Sequence, residues 1–405
     1  MTRTSILNFI LAVNLLVPSI VCAQDSGEKT INDAMNAVAE GDYLHAISLI
    51  ESRDEDREKF SDIRGMLYSF VGDWERADKL RPSAARKYEV SVPNDFQLTP
   101  ALEAIAREAH GRQLVIINEA HDAPEHRAFI ARLAEILRKD GFSFYAIETL
   151  SEDPRALSQR GFPLIPTGFY SCEPRFGDLV RDVLRLGFTP VSYEEEDVKE
   201  FNNPIESINA REQSQCRNLV QRVFSKNPKA RLLVHVGLDH VMEQRRKVDG
   251  DEISWLAARL KQATGIDPVT IDQITQLRPP HDGHTQPAVA LNAQGQTFVG
   301  GPYRGFVDLQ VYHPPTKTVT GRPNWLLSDK SRRVVEIPSE LEAGSARVLV
   351  QAFYANEGPN AVPADQVLLD PGGLRPALSL RPGSYRIVSQ DESGNRTAIK
   401  QIDVD

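Results

Sequence analysis

Ionisable side chains follow four apolar segments that the sequence predicts to be buried strands. In chain order they are Glu119 and His121, then Glu148, then Glu194, then His240. If these strands are parallel, their carboxyl ends meet at one edge of the sheet, where α/β proteins bind ligands. The sequence therefore predicts a single site that combines imidazoles with carboxylates.

Two kinds of chemistry use such a combination. Neutral histidines and carboxylates can bind a divalent metal such as Mn, Co or Zn and leave one position open for water. Without a metal, a histidine can act as general base while a glutamate acts as an acid or orients the imidazole. The alternative is a polar network that only orders loops, and we favour function because buried charges are costly. The residues predicted for catalysis or metal binding are Glu119, His121, Glu148 and His240.

The first of these strands leads directly into a helix. Residues 114–117 form a continuous apolar run, which is typical of a strand covered on both faces. Asp122 is predicted to be the N-cap of the helix, with Pro124 near its first position and Glu125 completing a capping box. Capping does not explain the glutamate and histidine that come before, so this junction is predicted to be functional.

Strand and helix patterns alternate through residues 95–280. The predicted helices are 98–109, 124–139, 176–186, 204–224 and 253–263, and the predicted strands are 114–117, 143–147, 189–193, 232–236 and 268–272. Repeated alternation predicts a mostly parallel sheet flanked by helices. The fold class is therefore α/β.

The regions on either side differ from this pattern. Residues 28–87 are predicted to be helical, and Gly41-Asp-Tyr is echoed by Gly72-Asp-Trp at a spacing of 31 residues. That spacing is close to the ~34 residues of tetratricopeptide helix pairs. The segment is either a short repeat of that kind, which could bind a protein partner, or a plain helical bundle.

Residues 285–405 are predicted to form a β-rich, sandwich-like module. Strands are predicted at 346–354, 385–390 and 397–404, with a hairpin turn at 392–395 between the last two. Where the module begins is left open by the sequence, because residues 307–312 could equally belong to the α/β sheet.

The first residues have the features of an export signal. Arg3 precedes a short apolar run, and Val21-Cys-Ala23 resembles a cleavage site. Residues 1–23 are therefore predicted to be a signal peptide, and the mature chain is predicted to be periplasmic or secreted. No other stretch is apolar enough to span a membrane.

Charge and cysteine content narrow the possible functions. The formal net charge is −9 and basic runs are missing, which argues against a nucleic-acid partner. Only Cys172 and Cys216 remain after cleavage, and they could pair as a disulfide in an oxidising compartment. Neither cysteine lies in a motif typical of a catalytic thiol.

Three short motifs resemble a known superfamily. Residues 118–126, Asn-Glu-Ala-His-Asp-Ala-Pro-Glu-His, resemble the Gly-Glu-x-His-Asp-x-x-x-His signature of the ChaN-like haem-binding proteins. These are grouped with the erythromycin esterases and the TIKI/TraB proteases in the EreA/ChaN-like superfamily. Residues 237–240 resemble its Gly-x-x-His motif, and Glu148 resembles its mid-domain glutamate. Asn118 departs from the usual glycine.

The resemblance covers residues 95–275 and implies an α/β domain with a Glu/His site. It carries over to Glu119, His121, Glu148, His240 and His126. The superfamily includes metal-dependent peptidases, ester hydrolases that use a histidine base, and haem binders. We therefore predict an exported, metal-assisted hydrolase of ester or amide bonds, acting on a small-molecule or peptide substrate.

Two alternatives remain open at this stage. The first is a haem- or iron-binding protein without turnover. In that case His126 could contribute to the cofactor site, and Tyr145, Tyr170 or, first among them, Tyr193 could supply a phenolate. The second alternative is a non-catalytic scaffold whose helical and β-rich regions bind partners.

Overall fold

The computed structural model of the protein describes residues 26–53, 60–80, 88–194, 201, 203–248, 250–278, 284–338, 341 and 346–405. The predicted signal peptide lies outside these ranges. Within them, no helix combines the length and the apolar character needed to cross a bilayer.

Four helices form the first described part of the chain. They are α1 (Ser26–Ala39), α2 (Tyr43–Glu51), α3 (Ser61–Phe70) and α4 (Trp74–Leu80). Gly41 and Gly72 connect α1 to α2 and α3 to α4 with φ values of +79° and +74°, which favour glycine. In both turns the next aspartate, Asp42 or Asp73, accepts a hydrogen bond from a backbone N–H three residues later. The sequence echo thus marks two helix pairs that turn in the same way.

The central part alternates strands and helices as predicted. Its elements are β1 (Glu89–Val90), β2 (Phe96–Pro100), α5 (Ala101–Ala109), β3 (Leu114–Glu119), α6 (Pro124–Lys139), β4 (Phe144–Ile147), α7 (Pro154–Arg160), α8 (Pro174–Arg185), β5 (Thr189–Ser192), α9 (Pro204–Leu219), β6 (Leu232–Gly237), β7 (Arg246–Val248), β8 (Asp251–Ile253), α10 (Leu256–Thr264), β9 (Val269–Asp272), β10 (Gln276–Leu277), β11 (Ala288–Asn292) and β12 (Leu309–Gln310). Six strands form one sheet in the order β12-β9-β3-β6-β4-β5, and all neighbours are parallel. The predicted α/β class is confirmed.

Helices cover both faces of this sheet, which explains why its central strands are apolar throughout. Val115 and Ile117 of β3 pack in one core with α5, α6 and α8. Leu114 and Ile116 face the other way, into a second core with α9 and α10. A strand buried on both faces gains from an apolar side chain at every position.

The predicted helix start at residue 98 and the predicted N-cap at Asp122 were wrong. Residues 98–100 belong to β2, which pairs antiparallel with β11, and the helix begins at Ala101. Pro100 favours an extended conformation for the residue before it, so the strand continues up to the proline. Asp122 is not a cap, because α6 begins at Pro124 with Ala123 as N-cap and without a side-chain cap bond.

The C-terminal part contains antiparallel sheets. Its elements are β13 (Thr318–Val319), β14 (Arg322–Pro323), α11 (Asn324–Leu327), β15 (Arg333–Val335), β16 (Val348–Tyr354), β17 (Asp365–Leu369), β18 (Leu378–Leu380), β19 (Gly383–Gln390) and β20 (Arg396–Val404). Four strands pair in the order β17-β16-β19-β20, and β15 pairs with β18. Gly394, with φ +78°, lies in the predicted hairpin turn between β19 and β20. The open question about residues 307–312 is resolved, because β12 joins the central sheet.

The C-terminal part is held to the central part through α8. Arg181 donates to both oxygens of Glu357, at 2.8 and 2.5 Å. Asp182 accepts from both terminal nitrogens of Arg381, at 2.6 and 2.7 Å. Charge-assisted pairs with two parallel bonds fix relative orientation as well as adding stability.

The N-terminal helices pack against the same β-rich part. Gln366 of β17 donates to the carbonyl oxygen of Phe70 at 2.6 Å. Arg347 donates to Glu51 of α2 at 2.8 Å. Part of the helical surface is therefore used within the chain, and the predicted partner surface stays a prediction.

Both cysteines of the described chain are free and buried. Cys172 belongs to the core on one side of the central sheet and Cys216 to the core on the other. The sheet separates them, so the disulfide considered from sequence does not form here. Burial raises the pKa of Cys172 to about 12 and that of Cys216 to about 11.

Candidate active site

Glu119, the last residue of β3, is almost completely buried, and its carboxylate is surrounded by donors. Arg127 of α6 donates through Nε to Oε2 at 2.8 Å and through Nη2 to Oε1 at 2.6 Å. His121 Nδ1 lies 3.0 Å from Oε1, and His235 Nε2 lies 2.9 Å from Oε2. Burial alone would raise the pKa of Glu119, but the charge and hydrogen bonds of Arg127 outweigh it and hold the pKa well below its ordinary value. The group therefore stays ionised.

His121 lies two residues beyond β3, and its ring is fixed on two sides. Because Nδ1 faces the Glu119 carboxylate, it carries the proton and leaves a lone pair on Nε2. The ring stacks on Tyr170, with centroids 3.8 Å apart and planes 14° apart. Nε2 faces Gly237, where an added Cβ atom would lie 2.7 Å from it. The imidazole thus presents an unprotonated nitrogen to the space beside Gly237.

Glu148 follows β4 and faces the same space. It is 2% exposed, and its Oε2 lies 3.1 Å from the point that a Cβ atom on Gly237 would occupy. Among the described residues, Oε2 has no hydrogen-bond partner. Oε1 lies 3.4 Å from Arg211 Nη2. Two acceptor atoms, His121 Nε2 and Glu148 Oε2, therefore lie near each other on the same side of Gly237, where one donor of a water molecule or substrate could bridge them.

His240 forms a second imidazole–carboxylate pair. It lies in the 3-10 turn Leu238–Val241 that follows β6, and its Nδ1 is 2.7 Å from Glu212 Oε1. Nε2 is 3.9 Å from Glu148 Oε1 and 3.4 Å from Arg211 Nη1. Burial alone would lower the pKa of His240, but Glu212 outweighs it, so the pKa is raised above its ordinary value.

Arg211 of α9 is the buried cation of the site. Its Nη2 donates to Glu194 Oε1 at 2.9 Å and lies 3.4 Å from Glu148 Oε1. Burial alone would lower the pKa of Arg211, but Glu194, Glu148 and Glu212 raise it further above its ordinary value. Arg211 thus remains charged and joins the ends of two strands to the second imidazole.

Asn118 holds the turn that carries His240. Its Nδ2 donates to the carbonyl oxygen of Leu238 at 2.9 Å and to Asp272 Oδ1 at 3.0 Å. Its Oδ1 accepts from the backbone N–H of Gln273 at 2.8 Å. Asn118 therefore ties together the ends of β3, β6 and β9.

The four residues predicted for catalysis thus come together around Gly237. The two predicted for a cofactor make other contacts. His126 Nδ1 accepts from the Ala120 N–H at 3.1 Å and closes the turn into α6. Tyr193 donates to the His235 carbonyl oxygen at 2.9 Å. Burial raises the pKa of Tyr193 well above its ordinary value, as it does for Tyr145 and Tyr170, which opposes a phenolate role.

In this arrangement the predicted quartet does not fit a divalent cation. Glu119 would have to release Arg127 and both imidazoles in order to bind a metal. The guanidinium of Arg211 lies within 3.4 Å of Glu148 Oε1 and His240 Nε2, so both atoms already face a cation. In the described ranges, no group of three or more His, Cys, Asp or Glu side chains is arranged to hold a metal ion.

Several site residues were not found by sequence reasoning. They are Arg127, Arg211, Glu212 and His235. The first three lie within helices, where charged side chains are ordinarily solvent-facing. His235 lies within β6, and its side chain is buried. The missed signal was that a histidine in a central strand lies beside the strand that ends in Glu119.

No protein-family model and no curated protein match the chain. Among solved structures, the chain is similar to one described as "Bacterial protein toxins", with 14% identity over 63% of this chain and 49% of that one, and a TM-score of 0.33. RRSP, a MARTX toxin effector domain from Vibrio vulnificus CMCP6, gives 14% identity, 63% and 48% coverage, and a TM-score of 0.31.

A third similar structure is the C-terminal region of Pasteurella multocida toxin, described as having a thiol-protease-like catalytic triad. It gives 12% identity, 92% and 52% coverage, and a TM-score of 0.32. The chain spans about half the length of each structure named here. These scores are too low to bear on the function of this chain.

Proposed function

We propose that the protein is a hydrolase of ester or amide bonds in which His121 is the general base and Glu119 orients it. One observation carries this proposal. Glu119 holds the proton of His121 Nδ1, which leaves Nε2 as an acceptor. Nε2 lies on the same side of Gly237 as Glu148 Oε2, which has no hydrogen-bond partner among the described residues. A carboxylate that fixes the tautomer of an imidazole and stabilises its cation is a common way to make histidine an effective base.

In the proposed reaction a water molecule lies between His121 Nε2 and Glu148 Oε2. Nε2 takes one proton from the water while the oxygen attacks the carbonyl carbon, and a tetrahedral intermediate forms. Glu119 stabilises the resulting imidazolium. When the intermediate collapses, the bond from carbon to the leaving oxygen or nitrogen breaks, and the leaving atom takes a proton from a second group.

His240 is the proposed proton donor to the leaving group. Glu212 raises the pKa of His240, so this imidazole holds its proton to higher pH than a free histidine does. Arg211, which stays charged, lies beside it and would stabilise the negative charge that develops on the carbonyl oxygen. The site thus offers a base and an acid on either side of Glu148.

The sequence motifs support a place for this chain in the EreA/ChaN-like superfamily, and we propose that membership. The ester hydrolases of that superfamily use a histidine base, which agrees with the role given to His121. Residues 1–23 support export to the periplasm or the outside of the cell. The proposed reaction needs no metal, since every step uses a group of the chain.

The test is turnover of p-nitrophenyl esters and fluorogenic peptides by residues 24–405, measured in EDTA and again with Mn, Co or Zn. We expect turnover in EDTA that falls about 10²- to 10⁴-fold in His121→Gln. His45→Gln, which changes an exposed histidine on α2, is the matched control and should retain activity.

Each outcome decides one part of the proposal. Turnover that appears only after a metal is added would overturn the metal-free reaction. Equal turnover in wild type and His121→Gln would overturn the assignment of the base. No turnover across both panels, with and without metal, would overturn the hydrolase itself.

A further inference from the structure

A second histidine, His235, shares the carboxylate of Glu119 with His121. It lies within β6, and its side chain is 1% exposed. Its Nε2 lies 2.9 Å from Glu119 Oε2, and its Nδ1 lies 2.9 Å from the hydroxyl oxygen of Tyr145. Phe176 stacks on the ring, with centroids 5.0 Å apart. Both nitrogens and one face of this imidazole are therefore occupied, although the proposed reaction does not use it.

The hydrogen bonds assign the protons along this line of groups. Burial, followed by the charge of Glu119, raises the pKa of Tyr145 well above its ordinary value, so the phenol keeps its proton. The phenol donates to His235 Nδ1, which must then hold a lone pair. His235 is therefore the neutral Nε2–H tautomer and donates to Glu119. The opposite tautomer would direct a lone pair at the carboxylate.

The charge of His235 matters because Glu119 already faces one cation. Arg127 donates to both oxygens of Glu119, and its third nitrogen, Nη1, donates to Glu173 at 3.0 Å. If His235 were protonated, a second cation would stand 2.9 Å from the same carboxylate and would oppose protonation of His121. A neutral imidazole at this position adds a hydrogen bond without adding that charge.

We propose that Tyr145 and His235 are positioning residues that keep a neutral, donating imidazole on Glu119 and thereby preserve the pull of Glu119 on the proton of His121. Neither residue touches the space beside Gly237; both act through Glu119. This inference deepens the proposed function and depends on it only for the effect on rate, because the proton arrangement itself is a property of the resting protein.

The experiment follows the imidazole nitrogens by NMR in residues 24–405 labelled with [¹⁵N]histidine, between pH 5 and 9. His121→Gln and His235→Gln assign the two rings. In wild type we expect the neutral His121 ring as the Nδ1–H tautomer and His235 as the neutral Nε2–H tautomer. In Tyr145→Phe we expect His235 to lose this pure Nε2–H pattern, because its Nδ1 no longer accepts from the phenol, and the ring signals of His121 to change with it.

Tyr193→Phe is the matched control, because it also removes one buried hydroxyl. That hydroxyl donates to the backbone oxygen of His235, not to its ring, so both rings should keep their wild-type tautomers. His235→Gln keeps an amide donor near Glu119 and should leave the ring signals of His121 close to those of wild type. His235→Leu removes the donor and should shift them.

Two results would overturn the inference. One is an Nδ1–H or doubly protonated His235 in wild type, which can be read even if Tyr145→Phe does not fold. The other is a folded Tyr145→Phe in which both rings give the wild-type signals. Because the ring signals need no substrate, an absence of turnover would count against the hydrolase and leave this inference untouched.

Discussion

At the scale of single residues, the site depends on the absence of a side chain at position 237. A Cβ atom there would lie 2.6 Å from Cε1 and 2.7 Å from Nε2 of His121. The φ of Gly237 is −85°, which any residue can adopt, so the requirement is for space and not for a special backbone conformation. Glycine at position 237 therefore has a steric reason: it makes room for the imidazole of His121, the proposed base.

We predict that Gly237→Ala displaces the His121 ring and lowers kcat/KM about 10²-fold, since small displacements of a catalytic group have effects of that size. The overpacking should cost about 1–3 kcal/mol in the free energy of unfolding. Ester hydrolysis and urea unfolding measure the two effects. Gly358→Ala is the control, because a Cβ atom there meets nothing within 4 Å. Unchanged kcat/KM in Gly237→Ala would contradict the steric argument.

The second imidazole gives a prediction about pH. If His240 donates a proton, activity is lost as the pH rises through its pKa, which Glu212 holds above the ordinary 6.5 in spite of burial. Glu212→Gln removes that support, so the alkaline limb of the kcat profile should move about 1 pH unit toward lower pH. Glu206→Gln, an exposed change on the same helix, should leave the limb in place. An alkaline limb that does not move in Glu212→Gln would remove His240 from the donor role.

At the scale of elements, α8 begins at the site. Its N-cap, Glu173, accepts from the N–H groups of Arg175 and Phe176, both at 2.8 Å, and from Arg127 at 3.0 Å. Because Arg127 also holds Glu119, the end of β3, the body of α6 and the start of α8 are joined by one guanidinium. All three partners are almost completely buried, so their charges are little screened.

Removing that guanidinium should therefore destabilise the fold as well as the site. We predict that Arg127→Met lowers the free energy of unfolding by about 3–5 kcal/mol, because two buried carboxylates lose their partner. The measurement is urea unfolding at pH 7. Arg132→Met changes an exposed arginine of the same helix and should cost well under 1 kcal/mol. If Arg127→Met lowered the free energy of unfolding as little as the control does, the contacts of Arg127 with Glu119 and Glu173 would not contribute to stability.

The sequence best predicted those strands and helices whose apolar pattern depends on one element alone. The apolar runs of β3 and β6 predicted buried strands, and α6 spans residues 124–139 as expected. Strand β2 was missed because its partner, β11, lies almost 200 residues away in the chain. Arg127 and Arg211 were missed for a related reason: only the packing of α6 and α9 on the sheet turns these helical charges toward the strand ends.

At the scale of the whole molecule, α8 belongs to both the site and the interface with the β-rich part. Glu173 caps its first turn. On its buried face lie Asp178, Arg181 and Asp182, which pair with residues of the C-terminal part. The C-terminal part also contacts the N-terminal helices. Loosening this interface should therefore affect the stability of all three parts together.

Asp178 allows that coupling to be tested through pH. It pairs with Arg332 of the C-terminal part; burial alone would raise its pKa, but Arg332 and Arg175 outweigh burial and hold the pKa below its ordinary value of 3.8. A carboxyl whose pKa is lowered by folding stabilises the protein above its unfolded pKa, and this stability is lost as the pH falls through the folded value. Wild-type stability should therefore decline below about pH 4.

We predict that Asp178→Asn lowers the free energy of unfolding at pH 7 by about 3–5 kcal/mol, because Arg332 is left buried without its partner. The same variant should decline less steeply than wild type in acid, since it has one carboxyl fewer to protonate; Glu119, whose pKa is also lowered, accounts for part of the remaining slope. Urea unfolding at intervals from pH 7 to pH 3 measures both effects, with the exposed Asp95→Asn as control. A parallel acid decline in wild type and Asp178→Asn would mean that this ion pair does not hold the C-terminal part to the central sheet, and that the coupling must run through the pairs of Arg181 and Asp182.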